Sequence, residues 1–164
     1  MKKSRELINP IILICLFFSL AFWITNVNAE TDVSFSKGQT VYVPIYSHIY
    51  SGDREHPFYL AATLSIRNTD PNHSINVTAA DYYDSKGKRL NKYLNAPVNV
   101  AAMGSIRHVV KASDKAGGSG ANFIVKWESS AKVNPPIIES IMIGTQSKQG
   151  ISFTSRGQVV EEKK

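Results

Sequence analysis

Cysteine is almost missing from this chain of 164 residues. The one cysteine, Cys15, lies inside an apolar run near the N-terminus. With that run removed as an export signal, the remainder can form no disulfide and offers no thiol nucleophile and no thiolate metal site. Blocks of like charge are missing too. The 19 Lys and Arg are scattered among 13 Asp and Glu, so no basic stripe exists for nucleic acid to follow. The four histidines, His48, His56, His73 and His108, fall into neither an HxH nor an HExxH spacing. No serine sits in a G-x-S-x-G elbow. Sustained 3.6-residue periodicity with helix caps is absent as well, which excludes a helical bundle.

What is present begins with a processing signal. Lys2, Lys3 and Arg5 form a basic start, and residues 11–24 are apolar without a charge. That run is short for a membrane span, which needs roughly 20 residues. Val27-Asn28-Ala29 then supplies small residues, so cleavage is expected after Ala29, with residues 1–29 a signal peptide. An uncleaved N-terminal anchor is the alternative, and the only route to a membrane. Removing 29 of 164 residues leaves 135, enough for one domain with its own core. Lys2, Lys3, Arg5 and Glu6 leave with the signal, so the formal charge falls from +6 to +4. A periplasmic or secreted protein is the expected location. An oxidising compartment permits disulfides without requiring them.

The rest of the chain alternates. Leu60, Ala62, Leu64 and Ile66 share one parity, with Thr63, Ser65 and Arg67 on the other, the pattern of a half-buried strand. Thr69 to Ser74 is a cluster of turn formers, and residues 75–83 resume the alternation. Asp84-Ser85-Lys86-Gly87 is a hairpin turn, with Gly87 able to take a positive φ. Residues 58–90 therefore read as a three-stranded meander. Asp81 interrupts the apolar parity of its strand, and either a bulge or hydrogen bonding must accommodate its carboxylate.

Upstream, residues 30–37 read as a lead-in, and residues 39–50 as one strand with Val41, Val43 and Ile45 on one face. Pro44 cannot donate to a ladder, so this strand is expected at an edge or at a bulge. Downstream, short strands are expected at 89–94, 98–102, 106–111, 122–128, 137–144 and 150–154. Residues 137–144 read as buried on both faces except near Glu139. Residues 113–120, with three glycines, read as an exposed loop, and 155–164 as a fraying charged tail. Strands recurring about every ten residues with turns between them predict an all-β fold: a single antiparallel β-sandwich over residues 38–154.

At this point three runs, GQTVYVPIYSHIY, LSIRNTD and DYYDSKGK, resemble an exported bacterial family called domain of unknown function 3124, over most of residues 38–144. That resemblance brings no activity with it. A more distant pattern is similar to the soluble sensory rhodopsin transducer family. It rests on Asn68, Tyr82-Tyr83, Ala101-Ala102, Arg107-His108 and Pro136-Ile137. It implies a β-sandwich that forms small homo-oligomers and binds ligands or partners without catalysis. The export signal departs from that family, whose members act in the cytoplasm, so no photoreceptor partner is implied.

Among the functional candidates, Tyr42, Tyr46, His48 and Tyr50 share a parity, and Arg54 and His56 lie in the adjoining polar stretch. Aromatic rings with polar tips can recognise a small molecule, a carbohydrate or a protein partner, and Arg54 can pair with an anion. Packing of those rings on the second sheet is the structural alternative. An aromatic edge strand also invites homo-oligomerisation. Asp81 and Arg107 read as organisers of loops. The competing class is a metal protein or hydrolase built on His48, His56, His108 and Asp81, with Ser47 a conceivable nucleophile. The favoured expectation is a non-catalytic binding or assembly module without a cofactor.

Overall fold

In a computed structural model of the chain, residues 34–51, 53, 55–145 and 150–163 are described. The signal peptide, residues 30–33 of the lead-in and Arg54 lie outside them. The described residues form twelve β-strands: β1 (Ser36–Pro44), β2 (His48–Ser51), β3 (His56–Tyr59), β4 (Ala61–Arg67), β5 (Ile75–Tyr83), β6 (Arg89–Lys92), β7 (Val98–Val100), β8 (Ser105–Val110), β9 (Asn122–Val133), β10 (Ile137–Gly144), β11 (Ile151–Arg156) and β12 (Gln158–Glu162). The first sheet runs β12-β1-β9-β5-β6, with β7 also on β5; the second runs β11-β10-β4-β8; β2 and β3 pair separately. Every pairing is antiparallel. The all-β sandwich expected from the alternation is the observed fold.

The core forms where the two apolar parities meet. Val41, Val43, Phe123, Val125 and Trp127 come from the first sheet, and Leu64, Ile66, Ile138 and Met142 from the second. Each such side chain, fully buried, contributes roughly 1.5–3 kcal/mol. The Ser140 hydroxyl, wholly buried on β10, donates to the Pro44 carbonyl and so ties the second sheet to the end of β1.

Four expectations are corrected. The meander is not one: β4 belongs to the second sheet and β5 to the first, so residues 68–74 cross between sheets. A corner of side-chain hydrogen bonds makes that crossing. Asn68 Nδ2 donates to the carbonyls of His73, Val100 and Ala101, while its Oδ1 accepts the Asp70 amide. Strand β1 is not an edge, since β12 and β9 flank it, but it has the irregular register that was the other expectation, slipping against β12 between Thr40 and Val41. Pro44 is tolerated because the β12 register ends at Tyr42, leaving no ladder partner on that side. The single strand expected at 39–50 breaks after Pro44, where Ile45 and Ser47 turn to hydrogen-bond Ala121 and Gly118. Residues 155–163 do not fray as a tail. Gly157 lets the chain pass from β11 into β12, and Glu161 and Glu162 hydrogen-bond Thr40 and Gln39.

A fifth correction concerns β10, which is buried on one face only. Ile137 and Ile143 are exposed, while Ile138, Ser140 and Met142 point inward. The Asp81 anomaly resolves as a bulge. The register between β5 and β9 slips between Val77 and Ala79, so Val77, Ala80 and Tyr82 are buried and Asp81 turns outward. Its Oδ2 lies 3.4 Å from Arg89 across the β5–β6 hairpin. That hairpin closes as expected, with Gly87 at φ +79°.

The corner at Asp70 carries a pH signature. Its carboxylate accepts the amides of Asn72, His73 and Asn134 and faces the His73 ring. Those donors, the Asn72 amide foremost, hold its pKa down from the ordinary 3.8 to about 2. A depressed carboxyl adds stability that is complete above pH 4 and is lost as pH falls toward 2. Denaturation midpoints measured from pH 5 to pH 2 are expected to fall more steeply for the wild type than for Asp70→Asn. Parallel curves would show that the corner does not govern acid lability.

Candidate binding surface

The surface is assembled where β1 ends. Beyond Pro44 the chain keeps alternating, with Ile45 and Ser47 buried and Tyr46 and His48 turned outward. Ser47 N and Ser47 Oγ both bond the Gly118 carbonyl, at 3.1 and 3.0 Å. A hydroxyl has one hydrogen, so the Ser47 contact to His48 Nδ1 at 3.2 Å must have the ring nitrogen as donor. The neutral imidazole then carries its proton on Nδ1. Its Nε2 accepts from the Tyr50 hydroxyl at 3.3 Å.

The His48 ring meets Tyr50 edge-on, with centroids 5.2 Å apart at 86°, and Tyr59 at 6.0 Å and 65°. Lys115 lies 4.2 Å from the centroid of Tyr59, within cation–π range. Tyr50 is 54% exposed, which leaves a ring face available to a partner. The patch therefore offers π-faces and phenol oxygens on a short β-hairpin, with one cation from the loop beside it.

The loop at 113–120 supports it and is less exposed than its composition suggests. The Ser85 hydroxyl donates to the Gly117 carbonyl and accepts the Gly120 amide, pinning the loop to the β5–β6 turn. Gly117 is buried under Tyr82; a Cβ there would fall 1.9 Å from the phenol oxygen, so only glycine fits. Gly118, at φ +81°, turns its carbonyl to Ser47. Burial pushes the Tyr82 phenol up to about 12, with Asp114 adding to the shift.

The residues expected on one surface separate. His48 and Tyr50 come together. Tyr46 is half-buried with its ring against Phe153 at 5.7 Å. Tyr42 lies on the outer face of the first sheet, opposite Ile124 and Gln158 in register. His56 is exposed at the start of β3, in register with Ser51. Tyr59 and Lys115 were not expected. Tyr59 follows an ordinary strand pattern, and nothing near Lys115 in sequence marks it.

Asp81 does anchor a turn, through Arg89. Arg107 is exposed on β8. The residues of the competing chemistry lie apart: His108 turns inward beside Tyr93, at 5.3 Å, and burial lowers its pKa. Ser47 is engaged with Gly118 and Asp81 with Arg89. Among the described residues, no group of three or more His, Cys, Asp or Glu is placed to hold a metal ion.

Residues 38–160 match the family model described as Protein of unknown function (DUF3124). The chain belongs to that family. The matched span of this DUF3124 chain holds the β2–β3 hairpin, the supporting loop and both sheets but for the first two residues of β1 and the last two of β12. A solved structure described as the crystal structure of Thermotoga maritima 1070 is similar at a TM-score of 0.46 and 14% identity, over 76% of this chain and 97% of that one. No curated protein matches. These matches do not extend the resemblance to the sensory rhodopsin transducer family.

Proposed function

We propose that this chain is an exported, non-catalytic binding module that recognises a small ligand, a carbohydrate or a protein partner through the aromatic surface of β2 and β3. The observation that carries the reading is the exposed Tyr50 ring beside His48, whose tautomer and orientation are set by Ser47 and Gly118. A positioned ring loses little freedom on binding, so its contact area is converted to affinity efficiently. Lys115 over Tyr59 adds a cation for a polar or anionic group on the ligand. Export to the periplasm or beyond is supported by the basic start, the apolar run and Val27-Asn28-Ala29.

A melting screen against oligosaccharides and short peptides tests this. The purified protein is expected to gain stability with at least one class, and a His48→Ala, Tyr50→Ala double variant is expected to lose that gain. A gain that survives in the double variant contradicts the reading. Self-association, expected earlier for β1, would instead use the edge strand β12, where Val159 and Val160 are 46% and 59% exposed. Light scattering after size-exclusion chromatography reads it; a monomer at high concentration counts against it.

A further inference from the structure

The outer face of the second sheet carries an unusual set of charges. Across β8, β4, β10 and β11 one register row reads Arg107, Ser65, Glu139, Arg156. The next row brings Ser105, Arg67 and Ile137 together. Over β8, β4 and β10 lies a depression of about 200 Å³ lined by Thr63, Ser65, Arg67, Ser105, Ile106, Arg107 and Ile141. Arg67 and Arg107 stand on its rim at diagonal positions of adjacent strands, where neighbours are roughly 7–8 Å apart and their Cβ atoms somewhat closer. Two guanidinium groups so placed repel each other and can reach one common point.

The described residues neutralise these arginines only in part: Arg67 has one long ion pair, with Glu139, and Arg107 has none. Arg67 Nε donates to Ser65 Oγ at 3.1 Å, which fixes the plane of the guanidinium. Its acidic neighbour Glu139 stays 3.9 Å away, beyond hydrogen-bond length. The four hydrogens on the terminal nitrogens of Arg67 have no acceptor among the described residues. Arg107 makes no ion pair and no hydrogen bond among them either. Glu139 is moreover shared, because Arg156 lies directly opposite it on β11. Three arginines against one glutamate leave this face with positive charge to spare.

We infer that this depression is an oxyanion site, fitted to the phosphate group of a phosphate or phosphoester. Planar guanidinium forks match such oxygens in a bidentate way, and Arg67 is already oriented for it. The hydroxyls of Thr63, Ser65 and Ser105 line the same space and can complete the donor set. Ile141 and the exposed Val109 and Ile143 give the organic part of a phosphoester an apolar surface to rest on. None of these residues belongs to the aromatic surface, so this site stands or falls separately from the proposed function.

Two sources share this chemistry, a soluble phosphate compound and a phospholipid head group. Calorimetric titration of the purified protein with inorganic phosphate addresses the first. Sedimentation with phosphatidylglycerol vesicles, against phosphatidylcholine vesicles, addresses the second. Binding of either probe is expected to weaken about tenfold or more in Arg67→Gln and in Arg107→Gln, since each loses a charge-assisted hydrogen-bond pair. Arg67→Lys and Arg107→Lys keep the charge and lose the fork, and are expected to fall between. Lys126→Gln, exposed on β9 of the first sheet and away from this face, is expected to bind as the wild type. Phosphate binding alone assigns a soluble ligand; vesicle binding alone assigns a head group. Failure of both probes, or binding indifferent to Arg67 and Arg107 in variants with wild-type denaturation midpoints, overturns the inference.

Discussion

Replacing Phe123 with alanine is expected to lower stability by about 3–5 kcal/mol, the range for truncating a buried aromatic ring. Phe123 is fully buried near the start of β9, with its ring 5.2 Å from Tyr82 and 5.3 Å from Tyr93. Tyr82 is held in place by Gly117 and Tyr93 packs on His108, so neither ring can collapse freely into the space left behind. Urea denaturation measures the loss. A second readout follows from burial, which holds His108 below its ordinary 6.5 in the wild type. Opening a cavity behind Tyr93 admits water and moves that value upward, as an NMR titration of the imidazole would record. A loss under 1 kcal/mol with an unchanged His108 would show that this end of the sandwich is loosely packed.

The other large effect is expected at Asn68. Alanine there removes the amide that bonds His73, Val100 and Ala101 and the oxygen that accepts the Asp70 amide. Asn68 is 2% exposed, so the groups it leaves are unpaired away from water, at roughly 1–3 kcal/mol for each one that stays so. The corner also holds the β7–β8 turn, through Met103 to the Asp70 carbonyl, and the β9–β10 connection, through Asn134 to the Asp70 carboxylate. Asn68→Ala is therefore expected to lose more stability than Asn99→Ala, whose amide bonds only Ser74 and Asn76 on the exposed side. Equal denaturation midpoints for the two variants would contradict the account of the corner.

Those two positions show what could be read in advance. Phe123, Val125 and Trp127 alternate so plainly that β9 was legible as a strand with one buried face. The same holds for Leu64 and Ile66 on β4. The crossing at Asn68 was not legible, because odd-even alternation is identical whether a turn returns the chain to its own sheet or sends it to the other. The bulge at Thr78 has the same character: one extra residue reverses every parity after it, which explains why Tyr82 is buried and Asp81 is not. Strand β12 has no alternation to detect, since all five of its residues are exposed. It forms because β1 offers an open ladder and because Glu128 pairs with Lys163 just beyond the strand.

The candidate surface was half legible for a related reason. His48 and Tyr50 are two residues apart, so their parity is visible along the chain. Tyr59 and Lys115 reach them only through the β2–β3 pairing and the anchored glycine loop, contacts with no local trace. The glycines of that loop suggested freedom, yet Gly117 and Gly118 are there because Tyr82 presses on one and the backbone turns left-handed at the other.

The central claim is that partners dock on the rings carried by β2 and β3. Two-dimensional amide NMR of the purified protein, titrated in turn with the oligosaccharides and peptides of the melting screen, tests it most directly. Perturbations centred on His48, Tyr50, Tyr59 and Lys115 are the result this account predicts. A panel that leaves those amides silent, or shifts only signals elsewhere in the sandwich, would contradict it.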